Sequence, residues 1–168
     1  MTNEATAGAW VVDPAGSRAT FTNKTFWGLH TVRGIFGAVS GSGTVAGDGT
    51  ITGELVIDAA TLDTNNKQRD KHLRSPDFFN TEEHPNVVVR VESATRDGDS
   101  FTGTGAVEAA GTSQPITFSG HIDSADGEAV VLTASASADR HVHGMTWNQL
   151  GMLTGLSTGT VTARFVKP

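Results

Sequence analysis

The chain has 168 residues, 37% hydrophobic and 18% charged, with 20 glycines, no cysteine and a formal net charge of −6. That length predicts a single domain over residues 1–168 with a real hydrophobic core, preceded by a flexible tail over residues 1–8. The acidic balance, without a Lys/Arg run longer than two, excludes a phosphate-tracking surface and so a nucleic-acid partner. Lack of cysteine excludes disulfides, thiolate nucleophiles and Cys-ligated metals. No stretch reaches the roughly 18 to 20 apolar residues of a membrane-spanning helix. The first eight residues, Met-Thr-Asn-Glu-Ala-Thr-Ala-Gly, lack the basic and apolar regions of a secretion signal, so a cytoplasmic location is expected if Met1 is the native start.

In chain order, strand-like runs cover Gly8 to Asp13, Ser17 to Thr25 and Thr31 to Val45. From Ile51, period-two alternation sets Ile51, Gly53, Leu55 and Ile57 against Thr52, Glu54, Val56 and Asp58, which predicts a half-buried strand. One helix is predicted from Asn65 to about Phe79. There Asn65 and Gln68 fit a capping box, Pro76 stops the helix, and Ser75-Pro76 opens a short turn carrying Phe78 and Phe79. Strands follow over Asn86 to Thr95, around Phe101 to Val107, around Ile116 to Ile122, over Glu128 to Asp139, and around Val161 to Phe165. Asp48-Gly49, Asp97-Gly98 and Asp126-Gly127 mark turns.

Eight or nine short strands with one helical insertion and no βα alternation leave a barrel or a sandwich. The inward face of the strand from Glu128 runs Val130, Leu132, Ala134, Ala136, Ala138, and Gly53, Gly103, Gly105 and Gly120 are equally small on other strands. Such residues either leave a lumen or relieve crowding beside Phe36, Phe101, Phe118 and Phe165. The pattern alone supports the two equally, since an eight-stranded barrel does either.

The run Leu62 to Pro85, with Trp10, Asp13, Pro14, Ser17 and Phe21 before it, Val32, Arg33, Gly34 and Phe36 next, then Gly103, Gly105, Asp139, Arg140 and Gly144, closely resembles the YceI-like family of polyisoprenoid-binding proteins. The resemblance spans Trp10 to Phe165. It implies an all-β fold: a single extended antiparallel lipocalin-like β-barrel of about eight strands with a short helical insertion around residues 65–80, enclosing an apolar tunnel. It further implies a non-catalytic carrier or store for a long-chain amphiphile such as a polyisoprenoid, an isoprenoid quinone or a fatty acid derivative, with no cofactor beyond such a bound lipid. The residues expected to line the tunnel are Phe21, Phe36, Leu55, Ile57, Leu73, Phe78, Phe79, Val89, Phe101, Phe118, Leu132, Met145, Trp147 and Met152. Many family members carry a secretion signal, so a periplasmic or secreted location is the alternative. Asn66 and Asn80 stand where glycine and aspartate are common, and His143 where an aromatic residue usually precedes Gly144.

The polar candidates are few. Arg69, Asp70, His72 and Arg74 concentrate charge in the insertion, with Asp70 and Arg74 spaced as an i,i+4 pair. Arg69 and Asp70 are read chiefly as ties to the barrel rim, and Arg69, Asp70, Arg140 and His143 as candidate head-group contacts. His141 and His143 share parity with Asp139, yet no further ligand or open-site motif accompanies them, so no metal is assigned. Val142, Met145, Trp147, Leu150, Met152, Leu153 and Leu156 load one connection with apolar surface, read as an adaptable mouth or an ordinary flap. No GxSxG, P-loop, dinucleotide fingerprint or carboxylate pair supports catalysis. Two other readings stand beside the carrier: an enzyme acting on a held lipid through Asp70, His72 or His143, and a homodimeric interaction module.

Overall fold

The computed structural model describes residues 7–25, 30–139 and 156–168. In order the elements are β1 (Gly8–Val12), β2 (Arg18–Thr25), β3 (His30–Phe36), β4 (Val39–Val45), β5 (Ile51–Asp58), β6 (Leu62–Asp63), α1 (Lys67–Arg74), β7 (Asn86–Asp97), β8 (Ser100–Ala109), β9 (Thr112–Ala125), β10 (Ala129–Asp139) and β11 (Leu156–Val166). Neighbouring strands run β1-β4-β5-β7-β8-β9-β10-β11, and β1 pairs with β11 to close the ring. All pairings are antiparallel, so the wall is a closed eight-stranded barrel, as the resemblance implied. β11 pairs with β1 through Phe165 and Val166 and with β2 from Ser157 to Thr162, while β4 flanks β1 and β3 flanks β2. Thus β1 and β2 form one long bent strand, and β3 and β4 a second.

The bend between β1 and β2 explains Asp13, Pro14 and Ser17. Pro14–Gly16 form a single 3-10 turn, and Asp13 Oδ1 accepts the Ala15 amide at 3.1 Å. Arg164 on β11 donates to Asp13 Oδ2 at 2.6 Å, and its own amide donates to Ser17 Oγ at 2.9 Å. One strand therefore grips both halves of its bent neighbour. The expected run from Thr31 to Val45 breaks in a similar way, because Gly37 leaves the ladder to donate its amide to Thr61 Oγ1 at 2.9 Å. The two-residue strand β6, absent from the sequence expectation, then pairs with the end of β3.

The helix is shorter than expected. It starts at Lys67 with Asn66 as the cap, whose side chain accepts the Arg69 amide at 3.0 Å. Asn65 is excluded from that role by its left-handed φ of 63°, held by an amide donation to Asp63 Oδ1 at 2.8 Å. It ends at Arg74 because Ser75 precedes a proline and adopts extended backbone. Phe78 and Phe79 fall in the turn beyond.

The three Asp-Gly turns are present, with Gly49, Gly98 and Gly127 at positive φ. The Thr50 amide holds the Asp48 carboxyl below the ordinary carboxylate range, and the Ala129 and Glu128 amides do the same for Asp126. A carboxyl with a lowered folded-state pKa contributes stability that is present above its unfolded pKa and is lost as pH falls through the folded value. Asp126→Ala is therefore expected to lower the thermal midpoint at neutral pH, with the gap to the parent closing below about pH 3. Circular dichroism melts of both proteins across that range check it; a gap independent of pH would sink the explanation.

Candidate functional site

Alternation places one face of every wall strand inside. Two buried clusters result: one around Phe36, Val39, Ile57, Leu62 and Phe78 beside the helical insertion, and one around Trp10, Phe101, Ile122 and Val130 toward the opposite end. Phe165 packs against both. The lining of a cavity of about 310 Å³ draws on the two clusters together. Its inner surface is almost wholly apolar, from residues such as Leu55, Val89, Val107, Leu132, Ala136 and Val161. Glu54 and Arg96 are the charged residues on the lining, among the described residues. Glu54 stands 3.5 Å from Arg90, and Arg96 donates to the Gly98 carbonyl at 2.6 Å.

Gly53 and Gly105 take neither role left open by the sequence, since a Cβ there would meet the backbone of the neighbouring strand; the other small inward residues divide between the two. Phe21 faces Gly34, Phe118 faces Gly103 and Phe101 faces Gly120 across adjacent strands. A Cβ would lie 2.4 Å from the ring at Gly34 and at Gly103, and 2.7 Å from it at Gly120. Those glycines are filled by aromatic rings, the crowding-relief reading. On β10 and β11 the same smallness is not filled by a ring, because Phe21, opposite Gly159 on β2, lies over Gly34 instead. A Cβ on Gly159 would meet nothing nearer than 3.9 Å, and its cross-strand partner Ala136 offers only a methyl group, so the lumen stays open beside them.

Of the expected tunnel residues, Phe21, Phe36, Leu55, Ile57, Phe79, Val89, Phe101, Phe118 and Leu132 lie on the cavity lining. Phe79 closes one end in an aromatic triad, 5.7 Å from Phe36 and 6.3 Å from Phe21, with Phe21 and Phe36 5.2 Å apart. Leu73 and Phe78 lie off the lining: both pack in the neighbouring buried cluster, and Phe78 meets the His72 ring at 5.1 Å. Adjacent residues in the turn after α1 point apart, so only one of the two phenylalanines reaches the lumen. Met145, Trp147 and Met152, with Arg140, His141 and His143, fall outside the described residues.

The polar candidates of the insertion are engaged locally. Asp70 is buried and its Oδ1 accepts the Thr64 amide at 2.9 Å and the Thr64 hydroxyl. Arg69 Nε donates to Thr64 Oγ1 at 2.8 Å, and its Nη2 to the Thr64 carbonyl at 2.7 Å. Arg74 does not turn to Asp70; it donates to the carbonyls of Ala60 and Leu62 at 3.0 and 2.8 Å, anchoring α1 to the chain before it. His72 pairs with Asp77 at 2.8 Å. Among the described residues, no cluster of three His, Cys, Asp or Glu side chains is arranged to hold a metal.

Strand periodicity missed one group of lining residues. On β7 the inward series Val87, Val89, Val91 continues as Ala94 and Arg96, not Ser93 and Thr95. Register against both neighbours slips at Glu92, so a β-bulge there inserts one residue and exchanges the faces. β9 has a matching irregularity at Asp123, which brings Ile122 and Ala125 into one cluster. The sequence signal for the first was Ala94 itself, an apolar residue out of phase in Glu-Ser-Ala-Thr.

A family profile described as YceI-like domain matches residues 10–166. Protein YceI of Escherichia coli O157:H7 is 39% identical over 64 residues, which are 38% of this chain and 34% of that protein, so the match spans about a third of the curated relative. Burkholderia cenocepacia BcnA superposes with a TM-score of 0.80 at 14% identity, covering 91% of this chain and 98% of that one. A polyisoprenoid binding domain from Saccharophagus degradans, implicated in plant cell wall breakdown, gives 0.74 at 12% identity over 96% and 99%. At those identities the two structures establish a shared fold. No helix among the described residues is long and apolar enough to cross a membrane.

Proposed function

From the chain's membership of the YceI-like family, we infer that the barrel binds a single-chain apolar amphiphile, an isoprenoid, isoprenoid quinone or fatty acid derivative, as a carrier or store and without transforming it. The observation that carries this reading is the apolar lumen of about 310 Å³ bounded by the strands' inner faces. Its size stands at the lower end of small-molecule pockets. With a water-sized group occupying roughly 30 Å³, it accommodates about ten such groups in the described part of the barrel. Burying a chain of about ten methylenes contributes roughly 8 kcal/mol before the cost of association is subtracted. Affinity then comes from shape and dryness, which suits a carrier. The polyisoprenoid named for the Saccharophagus domain supports the isoprenoid class.

Organic extraction of gently purified protein followed by mass spectrometry is the test, with titration of the emptied protein by N-phenylnaphthylamine as its second arm. A co-purified single-chain lipid and saturable probe uptake are expected. A protein that releases no lipid and takes up no probe would overturn the reading.

A further inference from the structure

The barrel wall has a seam. Between β9 and β10 the ladder runs from Ala125↔Val130 to Ser119↔Ser135 and stops there, although β9 begins at Thr112 and β10 continues to Asp139. The flanking ladders do not stop: β8 pairs with β9 as far as Ala109↔Thr112, and β10 with β11 as far as Asp139↔Leu156. Beyond the last rung a side chain closes the wall. Gln114 Oε1 accepts the Asp139 amide at 2.9 Å, and its Nε2 donates to the Asp139 carbonyl at 3.2 Å. Next to this clasp stands Pro115, which has no N–H to offer a ladder.

Inner and outer surfaces meet at the seam. Phe118, Ser135 and Ala136 line both the lumen and a groove of about 790 Å³ on the outer wall. That groove carries hydroxyls from β7 across to β11, among them those of Thr117, Ser119, Ser135, Ser137 and Thr158, and no charged side chain among the described residues lines it. Inside, among the described residues, the Ile116 side chain, the Phe118 ring and the methyls of Ala136 and Ala138 stand along the stretch without rungs.

Resting on the lipid-binding reading above, we propose that the β9–β10 seam is a side entrance to the lumen. The tail of a single-chain amphiphile passes between the strands beside Phe118, and its uncharged head stays in the hydroxyl groove outside. Opening the seam releases the Gln114 clasp and displaces the Phe118 ring and the Ile116 side chain; it breaks no rung of the β9–β10 ladder, which stops at Ser119↔Ser135. Hydroxyls donate and accept, which suits an alcohol or a quinone carbonyl. Among the described residues the groove offers no cation to replace the hydration that a carboxylate or phosphate would give up there.

The chain has no native cysteine, so Thr117→Cys with Ser137→Cys supplies one thiol pair across the seam. A control pair, Thr133→Cys with Thr162→Cys, sits on opposed residues of the unbroken β10–β11 ladder, outside the lining of both the groove and the lumen. Each pair is bridged with a short bis-methanethiosulfonate reagent, and N-phenylnaphthylamine uptake is followed by stopped-flow fluorescence before and after reduction. Bridging the seam is expected to slow uptake at least roughly ten-fold, reversibly, as a switch of gating step requires, while bridging the control pair changes nothing. Equal rates with the seam bridged and free would overturn the side entrance. Failure of every form, unmodified protein included, to take up the probe would instead overturn the lipid-binding reading. For the head, dodecanol is expected to displace the probe at roughly ten-fold lower concentration than dodecanoate, the size of one charge left without compensation; the reverse order overturns the head assignment.

Discussion

The double replacement Ala136→Leu with Gly159→Leu is expected to abolish binding of an apolar chain and, at the same time, to raise the thermal midpoint. The two positions oppose each other on β10 and β11 and both line the lumen. A Cβ on Gly159 finds open space, and its φ lies outside the positive region that would strain a side chain. Together the replacements add seven carbons where the ligand would lie. At about 0.8 kcal/mol per buried methylene, some 5 kcal/mol of burial passes from ligand to protein. Chain affinity should fall roughly a thousand-fold or more. The sign of the stability change separates an open lumen from a filled core. In a filled core, added carbons force side chains off their rotamers and cost about 1–3 kcal/mol. In an open lumen they bury surface that was otherwise unpacked, and each kcal/mol gained raises the midpoint by about 2–4 °C in a protein of this size. Calorimetric titration with dodecanol and a thermal melt read both quantities. A lowered midpoint with unchanged affinity would show that the lumen is not where the chain binds.

Much of this site was legible because a strand's period is two and a barrel has only one inside. Leu55 and Ile57, Phe101, Phe118 and Leu132 follow directly from alternation, and the resemblance over Leu62 to Pro85 placed the insertion against the barrel. What escaped depends on contacts between distant residues. Rings on the neighbouring strand crowd Gly34, Gly103 and Gly120, whereas Phe21, which stands opposite Gly159 on β2, lays its ring over Gly34 and leaves Gly159 uncovered. Register, not composition, tells these cases apart. Ala94 and Arg96 turn inward only because Glu92 bulges, and Asn66 displaces Asn65 as the cap because Asp63 holds the preceding backbone. The seam was also invisible. Gln114 reads as one more polar strand residue until Asp139, 25 positions away, is seen to offer it both backbone atoms.

Asp70→Ala is expected to cost about 3 kcal/mol and to lower the thermal midpoint by about 6–12 °C. This carboxylate is 6% exposed and receives both donors of Thr64, the amide and the hydroxyl. Thr64 in turn takes two hydrogen bonds from Arg69. Removing the carboxylate leaves a buried amide without its acceptor and a guanidinium beside a hydroxyl that has lost its own partner. Hydrogen bonds to a charged group contribute about 1.5–3 kcal/mol each, and leaving a buried donor unsatisfied adds to the loss. Asp70→Asn keeps an acceptor oxygen in place and should lose about half as much. The consequence reaches the lumen through a short path. α1 is held to Thr64 by this knot and to Ala60 and Leu62 by Arg74, and the Phe79 amide donates to the Leu73 carbonyl at 2.9 Å. Loosening the helix therefore loosens Phe79 over the aromatic end of the cavity. Asp70→Ala should accelerate probe release without changing the preference between dodecanol and dodecanoate, because its carboxylate is committed to Thr64. A changed preference, with the midpoint unmoved, would make Asp70 a head-group contact after all.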